Sequence, residues 1–507
     1  MSDNPYSGSA IKRSAGHFIV GKGASALLTF TLLLWLVRLL SVTEYAAYIT
    51  LLAALDVTLI VANVGLPWMD ARYLPEFRLH ASKAVLGRFV VQLIQYQLGV
   101  LLLLALSGWL CLDWILVKLD MVAYVQAAQL YIVILVVDGL GRRLRDSILT
   151  NLLLQKLTQI NQMVRNIVIL SGLGILYYLG EINLAHVVAA ELVASTVCLL
   201  LALIGLWRHL KGINTREKAD WKIPKWSVMW RMALNMYFSE IITQVYGVQV
   251  FTLVIRYTLG EEPTAVFGFL RNLYGQTRNY LPATLLFGLI RPKLVASYVG
   301  DGGIAELTRN ANMVGKISLF ILMPLLVFSW LAGEELVALL SGGKFLHTGY
   351  YFPGFLSSLI LLSQRQILET VAMVTGNSHL CNYGGLLGIV TLPMAYLLIV
   401  WGFQLWAPII ALWVGSILYC SIIVRGIERK TAYHADLSGY YKMLLAALLA
   451  YLASQAILVT GQSWVWIILL AILACCAFLL TAAIIKPFSD AERLRINQLI
   501  KRNLFVW

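Results

Sequence analysis

The sequence predicts an all-α polytopic membrane protein with about fourteen transmembrane helices: two six-helix lobes in parallel pseudo-repeat, then two C-terminal helices. Three observations predict it. The 507 residues are 60% hydrophobic and only 13% charged, too little charge to cover a soluble protein of this length. Apolar runs of about 20 residues, enough to cross a bilayer as helix, recur from Phe18 to Ile485. The runs are continuous rather than alternating, which excludes a barrel, and a backbone in hydrocarbon must then close its hydrogen bonds within helices.

Taken in order, the spans start near residues 15, 45, 85, 121, 160, 184, 233, 264, 312, 352, 380, 405, 442 and 464. The first carries Lys22 and Arg38 and has no small-residue cleavage site before Glu44, so it reads as a span and not a signal peptide. Residues 1–207 make an N-terminal lobe of spans one to six. Residues 208–232 are a basic linker whose Trp221, Trp226 and Trp230 suit either an interfacial helix on the inner leaflet or an aromatic belt before the next span. Residues 233–425 make a C-terminal lobe of spans seven to twelve, and 426–485 hold the last two spans. Span one ends with Arg38 six residues before Glu44, and span seven with Arg256 six before Glu262, a weak echo between the lobes; either arginine could snorkel to the nearby interface. The tail, 486–507, opens with Ser489 and Glu492 in an S-x-x-E capping box. Its Leu494, Ile496, Leu499 and Ile500 beside Arg495, Lys501 and Arg502 predict a helix on the membrane surface.

The net charge of +14 invites a nucleic-acid reading, but its distribution opposes it. With the N-terminus inside, internal segments hold 32 of the 39 lysines and arginines; Lys118 and Lys344 lie outside, and Arg38, Arg256, Arg271, Arg278 and Arg365 lie within spans. This positive-inside bias places both termini in the cytoplasm of a multi-pass protein of the cytoplasmic (inner) membrane, with membrane lipids as its basic-patch partner and no nucleic acid. Neither the six cysteines nor the seven histidines have metal-ligand spacing, so no disulfide framework, metal site or cofactor is expected.

Chemistry concentrates in the charged residues inside spans. Span eight, AVFGFLRNLYGQTRNYLPATLLFGLI (Ala265 to Ile290), carries Arg271 and Arg278 on either side of its middle. Each would cost roughly 3 kcal/mol facing lipid at the bilayer centre. Seven residues apart, they share a face about 10 Å apart along the axis, with Tyr274 and Gly275 between them and Pro282 continuing the face. Either that face lines an aqueous cavity, or a buried acid such as Glu240 neutralises it. Arg365 and Glu369 in span ten, at i and i+4, either pair together or serve the same cavity. Asp56, Glu240 and Glu369 are candidates for charge balance or ion coupling. Asp138 has Arg142 one turn away as a structural partner, and Glu191, Gln126, Gln129, Gln244, Gln249, Gln364 and Gln366 complete the in-span polar set. A cationic, water-filled site attracts anions, and the arginine fork suits phosphate. A cation or drug exporter would present carboxylates instead. An enzyme would need catalytic groups on a sizeable external loop, and these loops are short.

Four features carry a family resemblance: GKGASALLTFTLLLWLVRLLSVTEYAAYITLL (Gly21 to Leu52), GLPWMDARYLPEF (Gly65 to Phe77), the two-lobe-plus-two architecture, and the tail KPFSDAERLRINQLI. The chain resembles the polysaccharide transporter family, the Wzx-type flippases of the MOP superfamily. The resemblance implies movement of a lipid-linked anionic oligosaccharide, usually on undecaprenyl pyrophosphate, to the outer leaflet by alternating access, beside the polysaccharide polymerase machinery. It also implies a central cationic cavity. Span eight departs from the family's Gly-Tyr-Tyr-like start, so no substrate residue is carried over. Arg271, Arg278, Arg365 and Tyr274 are the substrate-binding candidates. A cation-coupled small-molecule or drug exporter of the same superfamily is the alternative.

Overall fold

Each apolar run forms helix, and no strand occurs among the described residues. The computed structural model describes residues 8–180, 182–213, 221–285, 291, 294, 297–298, 303–456 and 464–500. These divide into two compact units, Met1–Ala265 and Val266–Trp507.

The first unit holds α1 (Gly8–Leu39), α2 (Val42–Ala62), α3 (Leu66–His80), α4 (Lys83–Leu110), α5 (Leu112–Lys118), α6 (Val125–Arg143), α7 (Gln155–Leu179), α8 (Leu184–Gly212), α9 (Trp226–Gln244) and α10 (Val248–Leu259). Local chemistry sets their ends. Ser41 and Glu44 form a reciprocal capping box at the start of α2. Asn183 caps α8 by accepting the His186 amide at 2.9 Å. Gly65 separates α2 from α3 at φ 77°, a conformation that favours glycine, and a Cβ there would strike the Ala233 carbonyl of α9. Helix α6 passes into a π-helical segment, Leu144–Leu149, before α7. Its long face packs on α8, and α7 on both α1 and α8.

The linker differs from an interfacial helix. Residues 221–225 are not helical, and α9 begins at Trp226. Trp221 lies edge-on to Phe77 and donates its indole N–H to Glu76 at 3.1 Å, while Trp226 and Trp230 pack on Tyr96. Burial against α3 and α4 takes the aromatic area that a membrane interface would otherwise cover. Residues 214–220 of the linker lie outside the described residues. Helix α9 belongs to this same unit: Tyr237 donates to the Val61 carbonyl at 2.6 Å and closes the end of α2. Compactness therefore divides the chain at Ala265, one bent helix pair beyond the linker.

The second unit holds most of α11 (Glu261–Tyr280), then α12 (Pro282–Leu285), α13 (Gly303–Ser341), α14 (Tyr351–Ser357), α15 (Leu359–Val374), α16 (His379–Gly388), α17 (Thr391–Val400), α18 (Trp406–Glu428), α19 (Leu437–Gln455), α20 (Trp464–Ile485) and the tail helix α21 (Asp490–Ile500). The last two spans, α19 and α20, pack on each other and on α13; α15, α16 and α17 pack on α18. Helix α13 carries Pro324 and a kink at Ala332.

Among the described residues, 11 helices pass as membrane spans by length and composition, or 12 if α9 and α10 form one bent span. The expected count of fourteen is reached only by adding α11 and the α14–α15 pair. These two fall short for a reason that bears on function. Helix α11 contains Glu261, Glu262, Arg271 and Arg278, and α14–α15, with Arg365 and Glu369, is interrupted at Ser358.

Candidate transport site and buried charge networks

Helix α11 corrects the expectation of one continuous span to Ile290. It ends at Tyr280, because Pro282 disfavours helix at Leu281 and cannot supply an amide. Residues 286–290 lie outside the described residues. Counted from Glu261, Arg271 lies about 15 Å along the axis and Arg278 about 25 Å. Arg271 is thus the arginine at mid-depth. Arg278 sits in the last turn, where the helix dipole favours a cation. Pro282 opens a separate helix instead of extending the face.

The face is open at one end and closed at the other. Arg278, Asn279 and Tyr280 are exposed, whereas Arg271 is 8% exposed. Tyr274, expected to meet substrate, is packed: its ring stands edge-on to Phe355 at 4.6 Å and its hydroxyl meets Ser358. It braces α11 against α14.

Arg365 and Glu369 do pair. Arg365 donates through Nε to Glu369 Oε1 at 2.8 Å, the Tyr419 hydroxyl donates to that same oxygen at 2.7 Å, and the guanidinium stacks on the Tyr419 ring at 4.2 Å. A guanidinium fixed on an aromatic face by a second group has little rotamer freedom left.

The first unit holds a denser network, and Arg165 is its missed member. Sequence counting placed Arg165 in a connection, but it lies inside α7, where its guanidinium meets Glu191 at 3.0 Å and Asp138 at 3.7 Å. Arg142 bridges Asp138 at 2.6 Å and Asp56 at 3.0 Å. Tyr131 and Tyr48 donate to Glu191 at 3.0 and 3.4 Å. Helices α2, α6, α7 and α8 are thereby cross-linked by charge-assisted bonds. Asp56, a candidate for charge balance or ion coupling, is paired with Arg142. A second buried pair joins α3 to α6: Arg143 lies 2.7 Å from Asp70, which also accepts from Ser147 at 2.6 Å. Glu240 accepts from the Trp68 indole at 2.9 Å and ties α9 to α3.

Arg256 does not snorkel. It is buried, donating to the Leu119 carbonyl at 2.8 Å, the Asp120 carbonyl at 2.6 Å and Glu261 at 3.0 Å. Asp120, at φ 52°, turns successive carbonyls onto one guanidinium. Arg38 is exposed, and Glu44 caps its own helix and accepts the Leu184 amide, so the two Arg–Glu positions are not equivalent.

The tail helix docks on protein through part of its surface, while Leu494 of its apolar face is exposed. Its capping box is present, with Ser489 N–H donating to Glu492 at 2.8 Å, but Glu492 also accepts from buried Lys316 of α13. Lys501 and Arg502 lie outside the described residues.

Fold and site together define a polytopic helical membrane protein whose second unit carries arginines on its least apolar helices. Residues 11–282, more than half of the chain, match the model of the polysaccharide biosynthesis protein family. The chain belongs to that family. Among solved structures it is similar to the lipid II flippase MurJ in an inward closed conformation, with TM-score 0.72 and 10% identity, covering 96% of this chain and 99% of that one. It is also similar to a multidrug resistance MATE family transporter of the MOP superfamily. The inward-facing form gives TM-score 0.59 at 14% identity over 81% of this chain and 94% of that one. The outward-facing form gives 0.59 at 13% over 83% and 96%. At these identities the likeness is one of fold. No curated protein sequence matches the chain.

Proposed function

We propose that this protein is a flippase that moves a polyprenyl-pyrophosphate-linked oligosaccharide across the cytoplasmic membrane by alternating access, for surface polysaccharide synthesis. Both termini face the cytoplasm, as the positive-inside charge distribution favours. The observation that carries the reading is the placement of Arg271, Arg278 and Arg365 on the helices of the second unit that fail as apolar spans. Phosphate oxygens match the arginine fork, and exposed Arg278 makes the first contact. Arg271 engages when the face opens. Glu369 keeps Arg365 oriented, and the acyl chain stays in lipid. Asp56 and Glu240 balance charge within the first unit.

Membership of a polysaccharide biosynthesis family supports the cargo class. The fold likeness to a multidrug transporter supports the second reading, a cation-coupled small-molecule exporter. Both are tested in cells lacking the native gene. Arg271→Ala and Arg278→Ala, inserted at wild-type levels, are expected to cut polymer export at least about tenfold, the loss of one charge-assisted contact. Unchanged export defeats the arginine assignment. Lost drug resistance with intact export favours the exporter.

A further inference from the structure

The tail helix α21 docks on the second unit through one helical stripe. Phe488 is buried and lies 5.5 Å from the Phe320 ring. Four residues on, Glu492 accepts Lys316 Nζ on both oxygens, at 2.9 and 2.8 Å. Arg495 reaches Asn310 at 3.2 Å and Glu306 at 3.5 Å, and Ile496 is buried. Phe488 thus anchors the segment just ahead of α21, and Glu492, Arg495 and Ile496, at i, i+3 and i+4, put one face of the helix against protein.

Lys316 is only 2% exposed and also pairs with Asp436 at the start of α19. A buried ammonium needs such partners, since burial without them is strongly unfavourable. The surroundings are cut to fit it. A Cβ at Gly439 would overlap the Lys316 side chain, and a Cβ at Gly315 would overlap Gln364 and the Tyr440 hydroxyl. Tyr440 donates to Gln364 Oε1 at 3.0 Å, and Gln364 donates to the Gly315 carbonyl at 3.3 Å. Gln364 immediately precedes Arg365 on α15. Two sets of polar contacts, Glu492–Lys316–Asp436 and Tyr440–Gln364–Gly315, therefore meet at the Gly315–Lys316 peptide bond, between the tail and the helix that carries the site arginine.

We propose that the C-terminal helix is a positioning element for transport: Glu492 holds Lys316, whose chain neighbour Gly315 meets Gln364 under the Tyr440 hydroxyl, and so sets the placement of α15 and hence of Arg365. The relevance to cargo rests on the function proposed above; the linkage itself does not. Undocking the tail removes one of the two carboxylates from Lys316 and loosens the Gly315–Tyr440–Gln364 junction. Any factor that captures the tail would then act on the transport site from a distance.

The test is hydrogen–deuterium exchange on the full chain in nanodiscs, without cargo, for wild type, Glu492→Gln and Tyr440→Phe. Glu492→Gln should speed exchange roughly tenfold in the tail helix and also in peptides covering 364–374. Tyr440→Phe, which deletes one hydroxyl, should speed exchange in 364–374 with the tail still protected. The double variant should match Glu492→Gln at α15, as residues acting in one line do. Faster exchange confined to the tail overturns the proposal. So does an unaffected α15 in Tyr440→Phe, which decides the matter even if Glu492→Gln fails to insert. Polymer export measured in parallel separates the two readings: a loosened α15 with full export upholds the linkage and counts against Arg365 as a cargo contact.

Discussion

The guanidinium of Arg165 lies 3.0 Å from the carboxylate of Glu191 and joins α7 to α8 deep inside the first unit. The side chains are 14% and 7% exposed, so this is a buried pair. Removing one partner strands the other charge. Arg165→Gln or Glu191→Gln should cost about 3–5 kcal/mol, while the joint apolar replacement Arg165→Met with Glu191→Leu should cost less than either. Thermal unfolding in detergent checks the order. Additive losses would show that the pair does not act as one.

Gly65 turns the chain between α2 and α3 at φ 77°, against the Ala233 carbonyl. Gly65→Ala should cost about 1–3 kcal/mol from backbone conformation alone, with the overlap adding to it. Gly23→Ala is the control, because a Cβ there meets nothing within 4 Å. In mid-helix it should stabilise by up to about 1 kcal/mol. Equal melting temperatures for the two variants would contradict the close-approach argument.

Arg256 satisfies two backbone carbonyls at once, and a lysine cannot reproduce that fork. Arg256→Lys should lose about 1–3 kcal/mol for the group left unsatisfied. Faster amide exchange in residues 112–125 is the expected signature. Wild-type protection there would return Arg256 to a surface role.

Asp436 gives a pH prediction. Burial pushes its carboxyl up, but hydrogen bonds from Lys316 and the Gly439 amide, with the Lys316 and Lys442 charges, bring it below its usual 3.8. A depressed carboxylate contributes stability that is fully present above its unfolded pKa and is lost as pH falls through its folded one. The melting-temperature gap between wild type and Asp436→Asn should therefore be the same at pH 7 and at about pH 5, closing only below that. A gap that shrinks between those two values would contradict the depressed carboxylate.

What could be read ahead of the structure follows a physical division. Long apolar helices are set by composition, so α2, α4, α8, α13 and α20 were legible. So were the Ser489–Glu492 capping box and the Asp138–Arg142 pair, because both are local. Arg165 was missed because it was counted with the basic connection before span five, although it lies past the expected span start near 160 and inside α7. Its signal was position, eleven residues into an otherwise spanning helix. The protein contacts of Trp221, Trp226, Trp230 and Ile496 were not legible, for one reason. An aromatic or leucine face looks the same whether lipid or protein covers it, and only tertiary contact with Phe77, Tyr96 or Lys316 decides. The break in α11 was signalled by Pro282, which was read as part of a face.

The central claim is that the arginine face of α11 meets water deep within the protein during transport. Single cysteines at 271 and 278, in a chain stripped of its six native cysteines, should react with a charged, membrane-impermeant thiol reagent in sealed vesicles. Position 278 should label readily, position 271 more slowly, and added lipid-linked pyrophosphate should protect both. Failure of position 271 to label from either side of the membrane, in any condition that supports export, would contradict the account.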